Sequence, residues 1–592
     1  MDSFTNTIHR SQSHTRGTHD AYDAHDPRTA SAVAYLDHFS YWYGGRAQQT
    51  QTTSFYDTTP PAASEPQPER RPDLNDISLS FAPGSITLLC GLSGSGKSSI
   101  IQALNGLIPH FHAGEGDGHV VVSRHDIAQT ELTDCGMQSA TVFQNPRTQF
   151  FTTCVRNELA FRWENQGHDP DWIRARVADD AAQGGITPLL DSSLTQLSGG
   201  QLQKIACVQA AASDTPLLLF DEPTSNLSVQ AIDEFAEQLR EYKRQGRTIV
   251  IAEHRLYFLR GLIDRAFLIE NGRIARSFTG DELFSLTREE RASLGLRSLD
   301  RPAWPDETAR SQPSVEPVQT VQTVQTVQTE TPEAAETDET ADGLHLRSVR
   351  FSYGPKQVLN IDRLDFPAGR ISVIIGPNGA GKSTLARIIC GLERPDKRSR
   401  LLFDGVEVND KQRVRNSYIV MQDVHRQLFS DSVLGELTVG MGRKEAEQVD
   451  GMRLLDRFGL AAKSTAHPLA LSGGQKQRLV IAAAETCHKN VYVFDEPTSG
   501  VDWKHLRVIV QERRRPADQG AVGIVITHDG ELLESCADHI VRLLPLDQAK
   551  ANGVLQAHAW SREPHHESHG APSDSADDET ANVLTGPNAV ND

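Results

Sequence analysis

The sequence predicts an α/β chain made of two copies of one domain, and three observations carry that expectation. The first is a phosphate loop, Gly91-Leu-Ser93-Gly94-Ser95-Gly96-Lys97-Ser98-Ser99, set between an apolar run (Ile86, Leu88, Leu89) and a helix-like one (Ile100, Ile101, Leu104). That strand-loop-helix context is what a P-loop requires. The second is a copy of it, Gly376-Pro-Asn378-Gly379-Ala380-Gly381-Lys382-Ser383-Thr384, after Ile371, Val373, Ile374 and Ile375. The third is that each loop is followed, in the same order, by a glutamine (Gln144; Gln422), the pentapeptide Leu-Ser-Gly-Gly-Gln, an apolar run ending in Asp-Glu-Pro, and a histidine (His254; His528). Ser198 to Asp221 and Ser472 to Asp495 both span 23 residues, and aspartate to histidine spans 33 in both halves.

Each motif has a chemical reason. The loop glycines let successive backbone N–H groups point at phosphate oxygens, and the following helix presents its positive end. Lys97 and Lys382 add charge at the β- and γ-phosphates, while Ser98 and Ser383 offer a hydroxyl to Mg²⁺. A bulky apolar run ending in Asp-Glu is a buried parallel strand that delivers carboxylates to the sheet edge where α/β folds bind ligands. Asp221 and Asp495 are expected to hold Mg²⁺, and Glu222 and Glu496 to polarise a water for in-line attack on the γ-phosphorus. A lone histidine is ordinarily structural, but His254 and His528 recur at one interval from a carboxylate pair and are expected to reach the γ-phosphate. Ser198-Gly199-Gly200-Gln201 and Ser472-Gly473-Gly474-Gln475 each supply a second anion-binding nest, of use only if a phosphate comes to it from elsewhere.

The chain has 592 residues, more than one core usually accommodates. A formal charge of −19 argues against a general nucleic-acid binder. Seven scattered cysteines without a C-x-x-C pair indicate neither a disulfide framework nor a zinc site, and a reducing cytoplasm is the expected home. No apolar run approaches the ~18–20 residues of a membrane span, so any membrane association is expected through a partner. In chain order we expect a disordered tail over 1–30, a first domain over 31–290 with a surface insertion at about 46–72, and a flexible linker over 291–342 with Val-Gln-Thr repeats. A second domain follows over 343–548, and a disordered tail over 549–592, whose His565, His566 and His569 read as a solvated cluster rather than a metal site. Glu270-Asn271-Gly272 reads as the tight turn of a hairpin.

With these motifs in place, the chain resembles a tandem ATP-binding-cassette ATPase over about 31–290 and 343–548. The resemblance implies two RecA-like α/β cores, each with an antiparallel β subdomain and a helical subdomain, and it implies ATP and Mg²⁺ as ligands. It also implies head-to-tail packing, with one ATP between Lys97 and Ser472-Gly473-Gly474 and the other between Lys382 and Ser198-Gly199-Gly200. Gln144 and Gln422 match the Q-loop glutamines that join Mg²⁺ and the reacting water, and Tyr41 and Tyr353 match aromatics that stack on adenine. The first D-loop departs from the pattern, reading Ser225-Asn-Leu-Ser228 where the second keeps Asp502. Gln144-Asn-Pro-Arg-Thr-Gln149-Phe-Phe and Gln422-Asp-Val-His-Arg-Gln427-Leu-Phe resemble the ATPases of energy-coupling-factor importers for vitamins and metal ions. That family implies a transmembrane coupling protein docking near Phe150, Phe151, Leu428 and Phe429, a separate substrate-capturing membrane protein, and a place on the cytoplasmic face of the membrane. The rival is a soluble tandem ATPase of the translation-factor type.

Overall fold

The computed structural model describes residues 32–44, 71–225, 227–302, 342–421, 424–471, 473–497 and 517–561, with Leu506 and Arg514. The expected N-terminal tail, nearly all of the 46–72 insertion, the Val-Gln-Thr repeats and the histidines at 565–569 lie outside the described residues, as do Gln422, Ser472 and Asp502.

Both halves build the same two sheets. In the first, a six-stranded sheet runs Ser139–Val142, Leu217–Asp221, Thr248–Ala252, Ile86–Cys90, Arg265–Glu270, Arg273–Thr279. The first five strands are parallel and the last returns antiparallel. The second half repeats the order with Ser417–Val420, Val491–Asp495, Val522–Ile526, Ile371–Ile375, His539–Leu543 and Ala557–Ser561. The central strands are buried along almost their whole length (Ile86, Leu88 and Leu89; Val373 and Ile374), which is why they read as continuous apolar runs. A four-stranded antiparallel sheet accompanies each core, Ala34–Tyr43 lying between Leu74–Phe81 and Gly114–Val122 in the first half. Asn271 and Gly272 both take positive φ at the predicted hairpin turn.

A helical layer follows each phosphate loop. In the first half, Val155–Asn165 and Pro170–Gln183 pack Leu159, Trp163, Ile173 and Val177 into a core of their own. Asp169 starts the second helix by accepting from the N–H groups of Asp171 and Trp172, with Pro170 at the first turn.

Two boundaries move outward. Arg288–Ser293 is helical and Leu296 and Leu299 are buried in the first core, so the stretch 291–302 belongs to the first half rather than to the linker. Leu546–Asn552 is helical and Ala557–Ser561 is the sixth strand of the second sheet, so the second half runs past 548. Both extensions are short, and it is the packing of Leu296, Leu299, Leu546 and Ala549 that ties them to the cores.

Candidate functional site

The two phosphate loops leave the central strand of each sheet and enter the helices Lys97–Leu104 and Lys382–Ile389. The first glycine is dictated by space: at Gly91 (φ 137°) a Cβ would lie 2.2 Å from the Ile269 carbonyl oxygen, and at Gly376 (φ 146°) 2.0 Å from that of Leu543. Lys97 Nζ donates to the carbonyls of Gly91 (3.1 Å) and Leu92 (2.9 Å), and Lys382 Nζ to those of Gly376 (2.7 Å) and Pro377 (3.0 Å). Each ammonium is thereby folded over its own loop.

The carboxylates arrive as the strand ends predict. Ser98 Oγ donates to Asp221 Oδ1 at 2.9 Å, and Ser383 bonds Asp495 in the same way. Burial, with Glu222 beside it, pushes the Asp221 carboxyl up to about 7, and burial also raises that of Asp495. A hydroxyl and a costly buried carboxylate side by side form an oxygen donor set that suits Mg²⁺. Ser95 Oγ is buried within the first loop without a hydrogen-bond partner, at the position Ala380 fills in the second.

Glu222 (φ 46°) and Glu496 (φ 49°) both occupy left-handed backbone, a conformation costly for a glutamate and found at both strand ends. Each glutamate N–H donates to the neighbouring strand, at Ala252 O and Ile526 O. Gln144 Nε2 donates to Glu222 Oε2 at 2.7 Å, and His254 Nε2 lies 3.3 Å from Glu222 Oε1 and 3.5 Å from Ser93 Oγ. In the second half the His528 N–H donates to Glu496 Oε2 at 3.3 Å, and its Nε2 is 3.6 Å from Oε1. Burial raises Glu496 to about 7 and, together with Lys382 and Arg255, lowers His528 to about 3, so this histidine is neutral. A carboxylate near neutral pKa held against a neutral imidazole can accept a proton from water.

The second loop faces the first half. A cavity of about 570 Å³ is lined by Tyr353, Asn378, Gly379, Gly381, Lys382, Ser383, Thr384, Asp495, Glu496 and His528 from one side and by Ser225 and Leu227 from the other. A neighbouring cavity of about 420 Å³ joins Ser198, Gly200, Gln201 and Ser228 to Pro377 and Asn378. Ser198 caps the helix Gly199–Ala212 through a reciprocal pair of bonds with Gln201. Ser228, the unusual D-loop residue, caps Val229–Arg244, its Oγ accepting from Ala231 N. Of the reciprocal nest, Gly473, Gly474 and Gln475 begin the helix Gly473–Thr486, while Ser472 is outside the described residues.

Two expectations are corrected. Tyr41 is fully buried, its hydroxyl donates to His112 O at 2.7 Å, and burial raises it to about 12, so it presents no face to a base. Along the two strands Tyr43 is the counterpart of Tyr353, and Tyr41 that of Phe351: Tyr41 and Phe351 turn inward, whereas Tyr43 bonds Ser99 Oγ and Gln102 and Tyr353 is 46% exposed in the cavity. Alternation in a strand makes a two-residue slip invisible when both aromatics lie on one face. Of the two apolar pairs after the glutamines, Leu428 is buried and Phe150 packs into the core, while Phe151 and Phe429 stand 76% and 77% exposed.

Sequence reasoning missed what holds those two rings out. Glu158 Oε2 accepts from Phe151 N (3.0 Å) and Thr152 N (2.8 Å); Glu436 Oε2 accepts from Phe429 N (3.0 Å) and Ser430 N (2.8 Å). Gln149 and Gln427 close the same loops by accepting from Phe143 N and Met421 N. The signal was present, since glutamine to glutamate is 14 residues in both halves (Gln144 to Glu158; Gln422 to Glu436).

Comparison with known proteins agrees with this geometry. The family model described as ABC transporter matches residues 74–225 and 359–499. A Treponema denticola protein provisionally named as an ABC transporter ATP-binding protein is 35% identical over 80% of this chain and 92% of its own length. A Bacillus subtilis protein provisionally named as an HMP/thiamine import ATP-binding protein, YkoD, is 29% identical over 80% of this chain and 87% of its own. Among solved structures, a model of ribosome-bound archaeal Pelota and ABCE1 shares the fold at a TM-score of 0.53 and 18% identity, covering 79% of this chain and 74% of that one. The chain is a duplicated ABC ATP-binding protein and belongs to the ABC transporter family.

Proposed function

We propose that this chain is the ATP-hydrolysing subunit of a membrane importer of the energy-coupling-factor type, serving a vitamin or a metal ion. The observation that carries the reading is the matched pair of exposed aromatics, Phe151 and Phe429, each pinned by a buried glutamate seven residues on and each beside a Q-loop. Exposed rings matched in the two halves suit burial by a partner, and the cytoplasmic helices of a membrane protein can supply it. The import role in the name of the Bacillus subtilis relative points the same way. The likeness to the ribosome-bound protein is one of fold alone. Among the described residues no helix is long and apolar enough to cross a membrane, so the partner supplies the span.

In this reading ATP sits on each loop under Lys97 or Lys382, with adenine against Tyr43 or Tyr353. Ser98 with Asp221, and Ser383 with Asp495, would hold Mg²⁺, aided by Gln144 and Gln422, and the bound ion would supply positive charge against that developing on the phosphate. Glu222 and Glu496 take the proton of the attacking water, and His254 and His528 orient the glutamate and the γ-phosphate. Ser198-Gly199-Gly200 closes the site at Lys382, and Ser472-Gly473-Gly474 that at Lys97. Closure of the two cassettes on nucleotide supplies the differential affinity by which hydrolysis drives the partner.

The test is purification of the tagged full-length chain from its own cells in mild detergent, with every associated protein identified. Recovery of a multi-span protein together with a small integral membrane protein is expected. Ribosomal subunits without a membrane protein would overturn the import reading.

A further inference from the structure

The two histidine loops are held by different means. In the first half, Glu253 stands just before His254 and is buried; its Oε1 accepts from the N–H groups of His254 (2.7 Å) and Arg255 (3.1 Å), and its Oε2 from Thr224 N and Oγ1. The first site is therefore braced by its own half. In the second half the corresponding residue is Thr527, which has no carboxylate to offer, and the residue after the histidine is Asp529 where the first half has Arg255.

Thr527 Oγ1 accepts from Asp529 N at 3.0 Å, but the Asp529 carboxylate is braced from across the interface. Leu296 and Leu299 anchor the end of the first half in its own core, and Arg297 between them turns to the second half. Its Nη2 donates to Asp529 Oδ1 (2.6 Å) and Oδ2 (2.7 Å), and its Nε to Glu531 Oε2 (2.6 Å). Ser298 N donates to Glu531 Oε1 at 2.6 Å, and Arg255 Nη2 lies 3.7 Å from Asp529 Oδ2. Arg297 is 3% exposed and Asp529 2%. Such a buried fork of charge-assisted bonds fixes geometry and is not replaced by a lysine, which lacks the planar fork. Asp529 also caps the helix Gly530–Cys536, accepting from Glu531 N and Leu532 N, and its neighbour His528 touches Glu496 through both backbone and ring.

We propose that Arg297 is a positioning residue for the second hydrolytic site: from the first cassette it fixes Asp529, and through it His528, so that turnover at Lys382 depends on the docked terminal segment of the first cassette. Turnover at Lys97 does not depend on it in this way, because Glu253 holds His254 locally. Opposite charges at the two positions after the histidines also match first half to second half and set like halves against each other. The inference rests on hydrolysis at the second site and is independent of what the ATPase drives.

The experiment uses full-length chain with a protease site placed among the Val-Gln-Thr repeats. Radiolabelled 8-azido-ATP is trapped with vanadate, crosslinked, and the halves are separated after cleavage. Arg297→Lys should lower trapping in the second half at least fivefold and in the first half less than twofold, with labelling of the second half before turnover retained within twofold. Asp529→Asn, milder than removing the arginine, should show the same asymmetry. Equal losses in both halves, or no loss in the second, would overturn the proposal. Wild-type chain that traps in neither half would instead sink the reading of hydrolysis on which it rests.

Discussion

Glu496 shows how one residue ties stability and chemistry to opposite pH trends. Burial holds its carboxyl up to about 7 against an ordinary 4.5, so between those values the folded chain keeps a proton that the unfolded chain releases. The contribution of this group therefore favours folding at low pH and is lost as pH rises through about 7. Glu496→Gln is expected to raise the melting midpoint by about 2–4 °C at pH 8, with the gap closing below about pH 5. Hydrolysis runs the other way: the base must be ionised, so single-turnover rates at this site should fall as pH drops below 7, and Glu496→Gln should slow them about 10²–10⁴-fold with ATP still bound. The aromatics allow a second test at this scale. Tyr353→Ala should weaken ATP binding by about 1–3 kcal/mol in a fluorescent-nucleotide titration, the size of a base stack. Tyr41→Phe should leave affinity within twofold, because its ring is wholly inside the sheet.

At the scale of elements, the segments after the Q-loops are rigid because buried carboxylates satisfy their amides. Glu158 is fully buried and serves two N–H groups as well as Gln209 Nε2, so Glu158→Ala strands several donors at once. A loss of about 1–3 kcal/mol in urea unfolding is expected, the cost of buried donors left unpaired. Arg147 extends the connection, its Nη2 donating to Leu197 O just before the signature serine. The loop that carries Phe151 and the signature segment of the first half are thus tied together directly.

For the whole molecule, the two cassettes meet through a first-half D-loop and signature laid over the second phosphate loop, and through the Arg297 fork. A partner that grips Phe151 and Phe429 is positioned to register any change between them. Phe151→Glu combined with Phe429→Glu is expected to abolish copurification of the multi-span protein; its undiminished recovery would remove these rings from the docking surface. The sequence by itself determined the duplication, the two phosphate loops, the Asp-Glu strand ends and the histidines, because each depends on short spacings and on residue types with few substitutes. Identical intervals in two halves made those spacings readable even at single positions. It could not decide which of Tyr41 and Tyr43 is free to meet a base, since strand alternation puts both on one side and only the tertiary packing buries the first in the core. Nor did it disclose Arg297 with Asp529, residues 232 apart in the chain, whose pairing arises only when the two halves pack and bury both charges against each other.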